Sequence, residues 1–402
     1  MNFRTERIKD LISEISMGPF GSNIKVACFV DEGVPVLNGS NLDGFVLKEN
    51  SFRYVTEEKA DSLGKANAHR GDIVITHRGT LGQIVFIPYD SLNDRYVISQ
   101  SQFRVKCNEK ILPEYMVYYF HTRIGQHKLL SNASQVGVPA LARATTTFQE
   151  IEIEVPDTVY QRKVVNVLET IRRKIHINEK INENLEQQAA AYFYHQFIVN
   201  ADPSWKEGTI SDLGTVVGGS TPSKSNPEYY TDNGIAWITP KDLSVDKSKF
   251  ISHGADDITE LGLRNSSASI MPAGTVLFSS RAPIGYIAIA DGEVTTNQGF
   301  KSVVPNSNVG TAFVYYFLKN ALPTIENMAS GSTFKEISGS AMRTVPAIIP
   351  DDESLQEFSD FCEPLFQQQR TLEAENRSLA ALRDSLLPRL MSGELDVSEL
   401  DL

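Results

Sequence analysis

The chain has 402 residues, of which 41% are hydrophobic and 22% charged, values of an ordinary globular protein rather than a disordered or collagenous one. At roughly 100–200 residues per domain, this length predicts two to four globular units. The net charge of -12 argues against strong, unaided and non-specific binding to DNA, because that affinity grows with the number of phosphates neutralised by Lys and Arg.

The excess negative charge lies mainly at the carboxyl end. Residues 351–402 hold 4 basic and 13 acidic side chains, whereas residues 1–155 hold 17 and 18, so a nucleic-acid interface elsewhere is not forbidden. The first residues lack the gradient of a signal peptide, and no apolar run reaches the ~20 residues that span a bilayer. The three cysteines show no Cys-x-x-Cys spacing. We therefore expect a cytoplasmic protein without a membrane segment, a disulfide framework or a zinc cluster.

The sequence repeats itself with a period near 200 residues. Segments recur in the same order, with 8–11 matching 210–213, 18–22 matching 219–223, 33–42 matching 234–243 and 71–82 matching 274–285. Chance would not preserve that order, so the repeat predicts a duplicated architecture.

The first ~150 residues of each copy alternate short apolar runs with Gly, Pro, Asn and Ser, a pattern typical of strands in a loop-rich domain. Predicted strands include 73–75 and 84–87 in the first copy and 276–278 and 287–289 in the second. One helix per copy is predicted, over 113–120 and over 312–318, with its aromatic residues in the core.

The last ~45 residues of each copy change to apolar steps of four and three, the heptad pattern of a long helix. The seam residues are Leu168, Ile171, Ile175, Asn182, Leu185, Leu365, Leu372, Asn376, Leu379 and Leu386. Two seams of equal length most simply pack on each other as an antiparallel coiled coil, in which Asn182 and Asn376 occupy equivalent positions; two unrelated surface helices are the alternative. Pro364 predicts a break or kink in the second helix near residues 360–364.

These patterns predict an α+β fold with two similar domains separated by a long antiparallel two-helix coiled coil, with pseudo-twofold symmetry. A helix from Gln161 to about Val199 would be on the order of 58 Å long. We expect it to act as a rigid spacer that sets the distance between the domains.

No catalytic motif is present. The chain lacks a Gly-x-x-x-x-Gly-Lys phosphate loop and a His-Glu-x-x-His zinc motif, and its seven histidines have no helical ligand spacing. We therefore expect no catalytic residue, no metal site and no cofactor of its own.

Polar residues recur at matched loop positions in the two copies. In the first copy they are Ser22, Asn23, Lys25, Asn38, Ser40, Asn41, His77, Arg78, Gln100, Gln102, Ser134 and Gln135. In the second copy they are Ser223, Lys224, Thr239, Lys241, Ser280, Arg281, Asn297, Gln298, Ser332, Thr333 and Lys335. These residue types contact base edges and phosphates in DNA complexes, although Gly, Ser and Asn are also ordinary turn residues. Because otherwise similar copies differ here, we interpret these residues as DNA-binding.

The turns themselves carry a family resemblance. Segments 18–22, 33–42, 219–223, 296–300 and 331–337, together with Leu382-Arg383-Asp384-Ser385-Leu386-Leu387-Pro388-Arg389-Leu390-Met391-Ser392-Gly393, are typical of one family. The chain resembles the specificity (S) subunit of type I restriction–modification systems over essentially its whole length.

The resemblance implies target-recognition domains at 1–155 and 201–350, conserved long helices at 156–200 and 351–392, and an acidic tail at 393–402 that stays outside the DNA-binding region. It also implies a non-catalytic subunit that binds double-stranded DNA at a bipartite, asymmetric target, one half-site per domain. The implied partners are methyltransferase (M) subunits, two in number, and restriction/translocase (R) subunits. These partners, not this chain, would bind SAM, ATP and Mg. The alternative from another class is a non-catalytic protein-interaction scaffold with duplicated binding domains on a coiled-coil spacer.

Overall fold

The computed structural model describes residues 3–21, 23–134, 137–281, 283–331 and 335–399. The chain divides into two compact units: the first unit is Met1–Lys174 with Leu379–Leu402, and the second unit is Ile175–Ser378. Both divisions fall inside the long helices, so each unit holds one end of each helix. The boundaries at 155, 200, 350 and 392 describe the sequence repeat instead and stay a prediction.

The first unit is built from short strands in small sheets. A four-stranded sheet has the order Ile12–Met17, Gln102–Cys107, Ile73–Thr76, Ile84–Phe86, and a five-stranded sheet has the order Phe29–Val30, Arg53–Val55, Val34–Val36, Arg95–Val97, Asn67–His69. Two-stranded pairs join Arg4–Arg7 to Glu152–Val155 and Ala133–Ser134 to Ala140–Leu141. The shorter helices are Glu57–Ser62, Pro113–His121, Arg123–Leu130 and Ala144–Glu150.

The second unit repeats the order of the matched strands, with one strand more in the first sheet and one strand fewer in the second. Its five-stranded sheet runs Gly214–Gly218, Lys301–Pro305, Val276–Ser280, Ile284–Ala290, Phe250–Ile251, and its four-stranded sheet runs Tyr230–Thr231, Asp256–Ile258, Ile235–Ile238, Thr295–Thr296. Lys206–Thr209 pairs with Pro346–Ile349. The shorter helices are Ile210–Leu213, Pro240–Val245, Glu260–Arg264, Gly310–Asn320, Leu322–Met328 and Gly339–Arg343.

The correspondence extends to single pairings, so the predicted duplication is confirmed. The parallel pairing of Val36 with Val97 matches that of Trp237 with Thr295. Outside the named strands, the bridge between Arg78 and Ala140 corresponds to the bridge between Arg281 and Glu336.

The predicted apolar helices are also confirmed, at Pro113–His121 and Gly310–Asn320. Both contain the sequence Val-Tyr-Tyr-Phe, at 117–120 and 314–317, and all eight of these residues are buried. Their aromatic rings therefore fill the cores of the two units, as expected from their apolar area.

The two long helices are Thr158–Tyr194 and Asp352–Ser392. The first continues as a π-helical turn over His195–Val199. The predicted break at Pro364 is wrong, because the second long helix is uninterrupted there, whereas a kink at this proline stays a prediction. Pro364 is exposed, so the carbonyl group of Asp360 that it leaves without a donor lies on the water side of the helix.

Within the second unit the two long helices pack antiparallel. The Asn178 side chain donates from Nδ2 to Oδ1 of Asn376 at 2.8 Å, and Gln369 donates to the Asn182 carbonyl oxygen at 3.1 Å. Tyr192 stacks on Phe361 with ring centroids 4.7 Å apart. The buried partner of Asn376 is therefore Asn178, one helical turn before the expected Asn182.

Within the first unit, the beginning of the first long helix meets the end of the second, and Leu168 and Leu390 lie in one apolar core. Among the predicted seam residues, Leu168, Ile171 and Leu185 are buried. The others are half-buried: Ile175, Asn182, Leu365, Leu372, Asn376, Leu379 and Leu386.

Described residues of the acidic segment 393–402 pack on the first unit, and its place outside the DNA-binding region stays a prediction. Val397 is buried and Leu395 packs against the first unit's core. The Tyr160 hydroxyl donates to the Leu395 carbonyl oxygen at 3.1 Å, and Lys163 bonds the Ser398 carbonyl oxygen. Apolar residues among the acidic ones anchor this segment. Among the described helices, none is long and apolar enough to cross a membrane.

Candidate nucleic-acid interface

In the first unit, five loops that leave the sheets converge. The Gly18 amide donates to the Gln102 carbonyl at 2.8 Å, and the His77 amide donates to Ser101 at 2.9 Å. The Leu141 amide donates to the His77 carbonyl at 2.8 Å. Gln83 bridges two further segments, because its Oε1 accepts from Thr76 and its Nε2 donates to the Gly39 carbonyl, both at 3.0 Å. We call the described residues around 18–25, 38–42, 77–83, 99–102 and 134–141 the first loop cluster.

In the second unit, the matched loops converge in the same way. The Ser220 amide donates to Thr296 at 2.9 Å, and the Trp237 indole donates to the Ser220 carbonyl at 3.0 Å. The Ile337 amide donates to the Ser280 carbonyl at 3.1 Å. We call the described residues around 219–224, 239–242, 280–285, 297–301 and 335–338 the second loop cluster.

A glycine without room for a side chain begins the first turn of each cluster. A Cβ added to Gly18 would lie 1.9 Å from the Ser99 carbonyl oxygen, and one added to Gly219 would lie 1.9 Å from that of Asn297. Real Cβ atoms do not approach so closely, so both turns require glycine. The backbones of these turns are thereby braced against the neighbouring loops.

Most of the predicted DNA-binding residues that the structure describes lie at the surface of the clusters. Those with exposed side chains are Asn23, Lys25, Ser40, Arg78, Gln100, Ser134, Ser223, Lys224, Lys241, Gln298 and Lys335. Their amide, hydroxyl and cationic groups include donors for phosphates and for the acceptor edges of bases.

Three predicted residues cannot reach DNA in this structure, and we correct their assignment. Asn41, Gln102 and Ser280 are at most 1% exposed. Asn41 donates from Nδ2 to the carbonyls of Lys48 and Asn50 at 2.9 and 2.8 Å, so its side chain closes its own loop. Gln102 accepts from the Ser99 amide at 2.8 Å, and Ser280 donates to the Gly299 carbonyl at 3.1 Å.

Other predicted residues are half-buried and hold turns. Asn38 caps the short 3-10 helix Gly39–Leu42, and Thr239 caps the helix Pro240–Val245 together with Asp242. Asn297 accepts from the Gly299 amide at 2.8 Å. Asn, Thr and Ser are preferred caps for the same reason that they suit base edges, namely a short side-chain acceptor. Ser22, Gln135, Ser332 and Thr333 lie outside the described residues.

The matched arginines differ in their surroundings. Arg78 is exposed, and its guanidinium has no hydrogen-bond or ion-pair partner in the part of the chain that the structure describes. Arg281 is half-exposed and lies 3.5 Å from the Glu336 carboxylate, which also lies 3.7 Å from the Lys301 ammonium. Burial lowers the pKa of Lys301 below its usual value, and the nearby Glu336 carboxylate offsets only part of this change. A carboxylate therefore partly neutralises the second cluster.

Sequence reasoning missed several residues of the clusters. Gln83, Lys301 and Glu336 hold the loops together, and only the tertiary contacts identify them.

The predicted residue His77 is half-buried, its Nε2 lies 3.1 Å from the Gln100 carbonyl oxygen, and burial lowers its pKa. A neutral imidazole donates one hydrogen bond there and makes a poor phosphate ligand.

The sequence of this chain is similar to those of one known family. The sequence model of the family described as "Type I restriction modification DNA specificity domain" matches twice, over residues 21–187 and 203–381. The type I restriction enzyme MjaIX specificity subunit of Methanocaldococcus jannaschii is 40% identical over 178 residues, which are 42% of this chain and 41% of that protein. The matched region thus covers less than half of the length of that relative.

Two further similarities extend along most of the chain. The type I restriction enzyme HindI specificity subunit of Haemophilus influenzae is 24% identical over 413 aligned residues, covering 81% of this chain and 87% of that protein. The crystal structure of a type I restriction–modification system S subunit from M. genitalium has a TM-score of 0.59 at 16% identity, over 97% of this chain and 96% of that one. The latter shows a shared fold.

Proposed function

Because this chain belongs to the family of type I restriction–modification DNA specificity domains, we propose that it reads the DNA target of a type I restriction–modification complex. The target consists of two different half-sites, and each loop cluster reads one of them. The observation that carries this proposal is the duplicated strand order with different side chains at matched loop tips, such as an exposed Arg78 against an Arg281 that lies beside Glu336. A common scaffold with altered tips suits a bipartite and asymmetric sequence.

We propose further that the chain binds DNA together with partner subunits and catalyses nothing itself. Its net charge of -12 leaves no cations in excess, so basic partners around the duplex supply most phosphate contacts. The partners are two methyltransferase subunits and, for cleavage, restriction subunits, which bind SAM, ATP and Mg. Purified, partner-free chain should show no methyl transfer, nuclease or ATPase activity, and any of these activities would contradict this part of the proposal.

Methylome sequencing of the host with and without this gene tests the DNA-reading role. We expect one bipartite methylated motif to disappear with the gene and to return with a plasmid copy. A second experiment replaces residues 1–155 with the corresponding segment of another family member, which should change one half-site and leave the other intact. A change in both half-sites would refute modular reading.

A protein-interaction scaffold would behave differently in vitro. The chain with its methyltransferase partners should bind a duplex that carries the motif in a salt-sensitive and sequence-dependent manner. A duplex with scrambled half-sites serves as the control, and equal binding to both duplexes would favour the scaffold.

A further inference from the structure

The first loop cluster presents an aromatic ring to solvent. Phe20 is 83% exposed, and it lies in the turn Gly18-Pro19-Phe20-Gly21. Phenylalanine buries a large apolar area in most proteins, so an exposed ring on a site surface is a candidate contact for a ligand.

The turn that carries this ring is held firmly on both sides. Gly18 donates to Gln102 at 2.8 Å and has no room for a side chain, and Pro19 is buried. The Asn23 amide donates to the Phe20 carbonyl at 2.8 Å. A ring on a braced turn loses little further backbone freedom on binding.

The position of the turn points to DNA as the occupant. Gly21 lies against Gln100, whose carbonyl oxygen contacts the His77 ring, so Phe20 shares the surface that holds Arg78. No acidic residue occurs between positions 15 and 30, whereas Lys25 is exposed five residues after the ring. The segment that carries the ring therefore adds a cation and no anion to the surface of the cluster, which favours a polyanion.

The matched turn of the second unit has no such ring. Thr221 takes the place of Phe20 and donates to Gln298 of the same cluster, while Pro222 is buried. The ring is therefore not needed to build the turn.

We propose that Phe20 recognises a thymine 5-methyl group in the half-site read by the first unit. This inference rests on the proposed function. The thymine methyl is the one apolar group that base edges offer in the major groove, and phenylalanine is a known type of contact to it. Insertion between bases would instead cost a few kcal/mol of unstacking.

The test uses the full chain with its methyltransferase partners and duplexes in which each thymine of the half-site is replaced by deoxyuridine, which lacks the methyl. We expect one replacement to weaken binding by wild type about fourfold, corresponding to ~0.8 kcal/mol for one buried apolar carbon. Phe20→Ala should bind the thymine and deoxyuridine duplexes equally, and Phe20→Leu should retain part of the difference. Leu92→Ala, which removes another strongly exposed apolar side chain of the same unit, is the control and should behave as wild type.

Several results would overturn the proposal. They are a half-site without any A·T pair, an unchanged deoxyuridine effect in Phe20→Ala, or 2-aminopurine fluorescence next to the half-site that rises on binding by wild type but not by Phe20→Ala, which would indicate insertion of the ring between bases. Failure of the wild-type complex to prefer its motif at all would refute the proposed function instead, so the two failures are distinguishable.

Discussion

The two units share a strand order but join the long helices through different side chains. In the second unit, Lys249 is 7% exposed, contacts the Glu186 carboxylate, and donates to Gln369 at 2.8 Å. In the first unit, the Tyr118 hydroxyl donates to Glu169 at 2.7 Å, and Arg172 pairs with the same carboxylate at 2.7 Å. The apolar core thus specifies the scaffold, whereas the polar contacts at the helices vary.

The contrast is largest in charge. Burial by itself would raise the pKa of Glu186, but Lys249 and Lys319 lower it, so the carboxylate is ionised at neutral pH. Burial lowers the pKa of Lys249, and Glu186 opposes that change. The Lys249 ammonium also lies 4.1 Å from the centroid of the Phe366 ring. The first unit also buries a cation, Arg104, which pairs with Glu14 and Asp72 outside the long helices. In the second unit, by contrast, the buried Lys249 pairs with a carboxylate on a long helix.

The largest expected effect comes from removing that cation. Lys249→Ala leaves Glu186 poorly compensated in a buried site, and we expect a loss of about 3–5 kcal/mol in the free energy of unfolding. Urea unfolding followed by circular dichroism measures it. The exposed Lys206→Ala is the control and should cost less than about 0.5 kcal/mol. A similar loss for both variants would show that the buried pair adds nothing.

A smaller effect is expected from the matched arginines. Arg78→Ala should weaken binding of the partnered chain to its motif by about 1–3 kcal/mol and relax one half-site. Arg281→Ala should cost less, because Glu336 already neutralises that guanidinium. Titrations on duplexes with single base changes measure both effects, with the exposed Arg4→Ala as the control. Equal weakening on every sequence would indicate a phosphate contact, and unchanged binding by Arg78→Ala would indicate a structural residue.

A modest effect is expected at the first unit's helix contact. The Arg383 guanidinium lies 5.0 Å from the centroid of the Phe45 ring. Arg383→Met keeps most of the apolar stem and removes the cation–π attraction, so we expect a loss of about 0.5–1 kcal/mol. Thermal unfolding measures it. If Phe45→Leu abolishes the effect of Arg383→Met, the ring is the partner; an equal effect in both backgrounds would assign it elsewhere.

The smallest effect is a change in pH dependence. Burial lowers the pKa of His121, and Leu318 occupies the matched position in the second unit. With a folded pKa below its unfolded value of ~6.5, His121 binds its proton more readily in the unfolded chain, so stability falls as the pH drops below about 6.5. His121→Leu should flatten the pH dependence of the unfolding free energy between about pH 7 and 5. An unchanged slope would show that other groups cause it.

Features that depend on local periodicity could be predicted from the sequence alone. The duplication, the helices around Val117 and Val314, and the two long heptad helices follow from spacings within single segments. Such spacings need no knowledge of the partner segment, because a helix must bury whichever face is apolar. The matched turns were predictable for the same reason, since their glycines and prolines act on their own backbone.

Only the tertiary structure decided which polar side chains face solvent. Asn41 and Ser40 are neighbours of similar chemistry, yet the first is buried as a brace and the second is exposed. The pairing of Asn178 with Asn376, and the course of the second long helix through Pro364, were equally beyond the sequence. The physical reason is that a cap, a helix contact and a base contact all require the same short hydrogen-bonding groups. Their roles depend on which distant segment covers them, and a spacing within one segment does not contain that information.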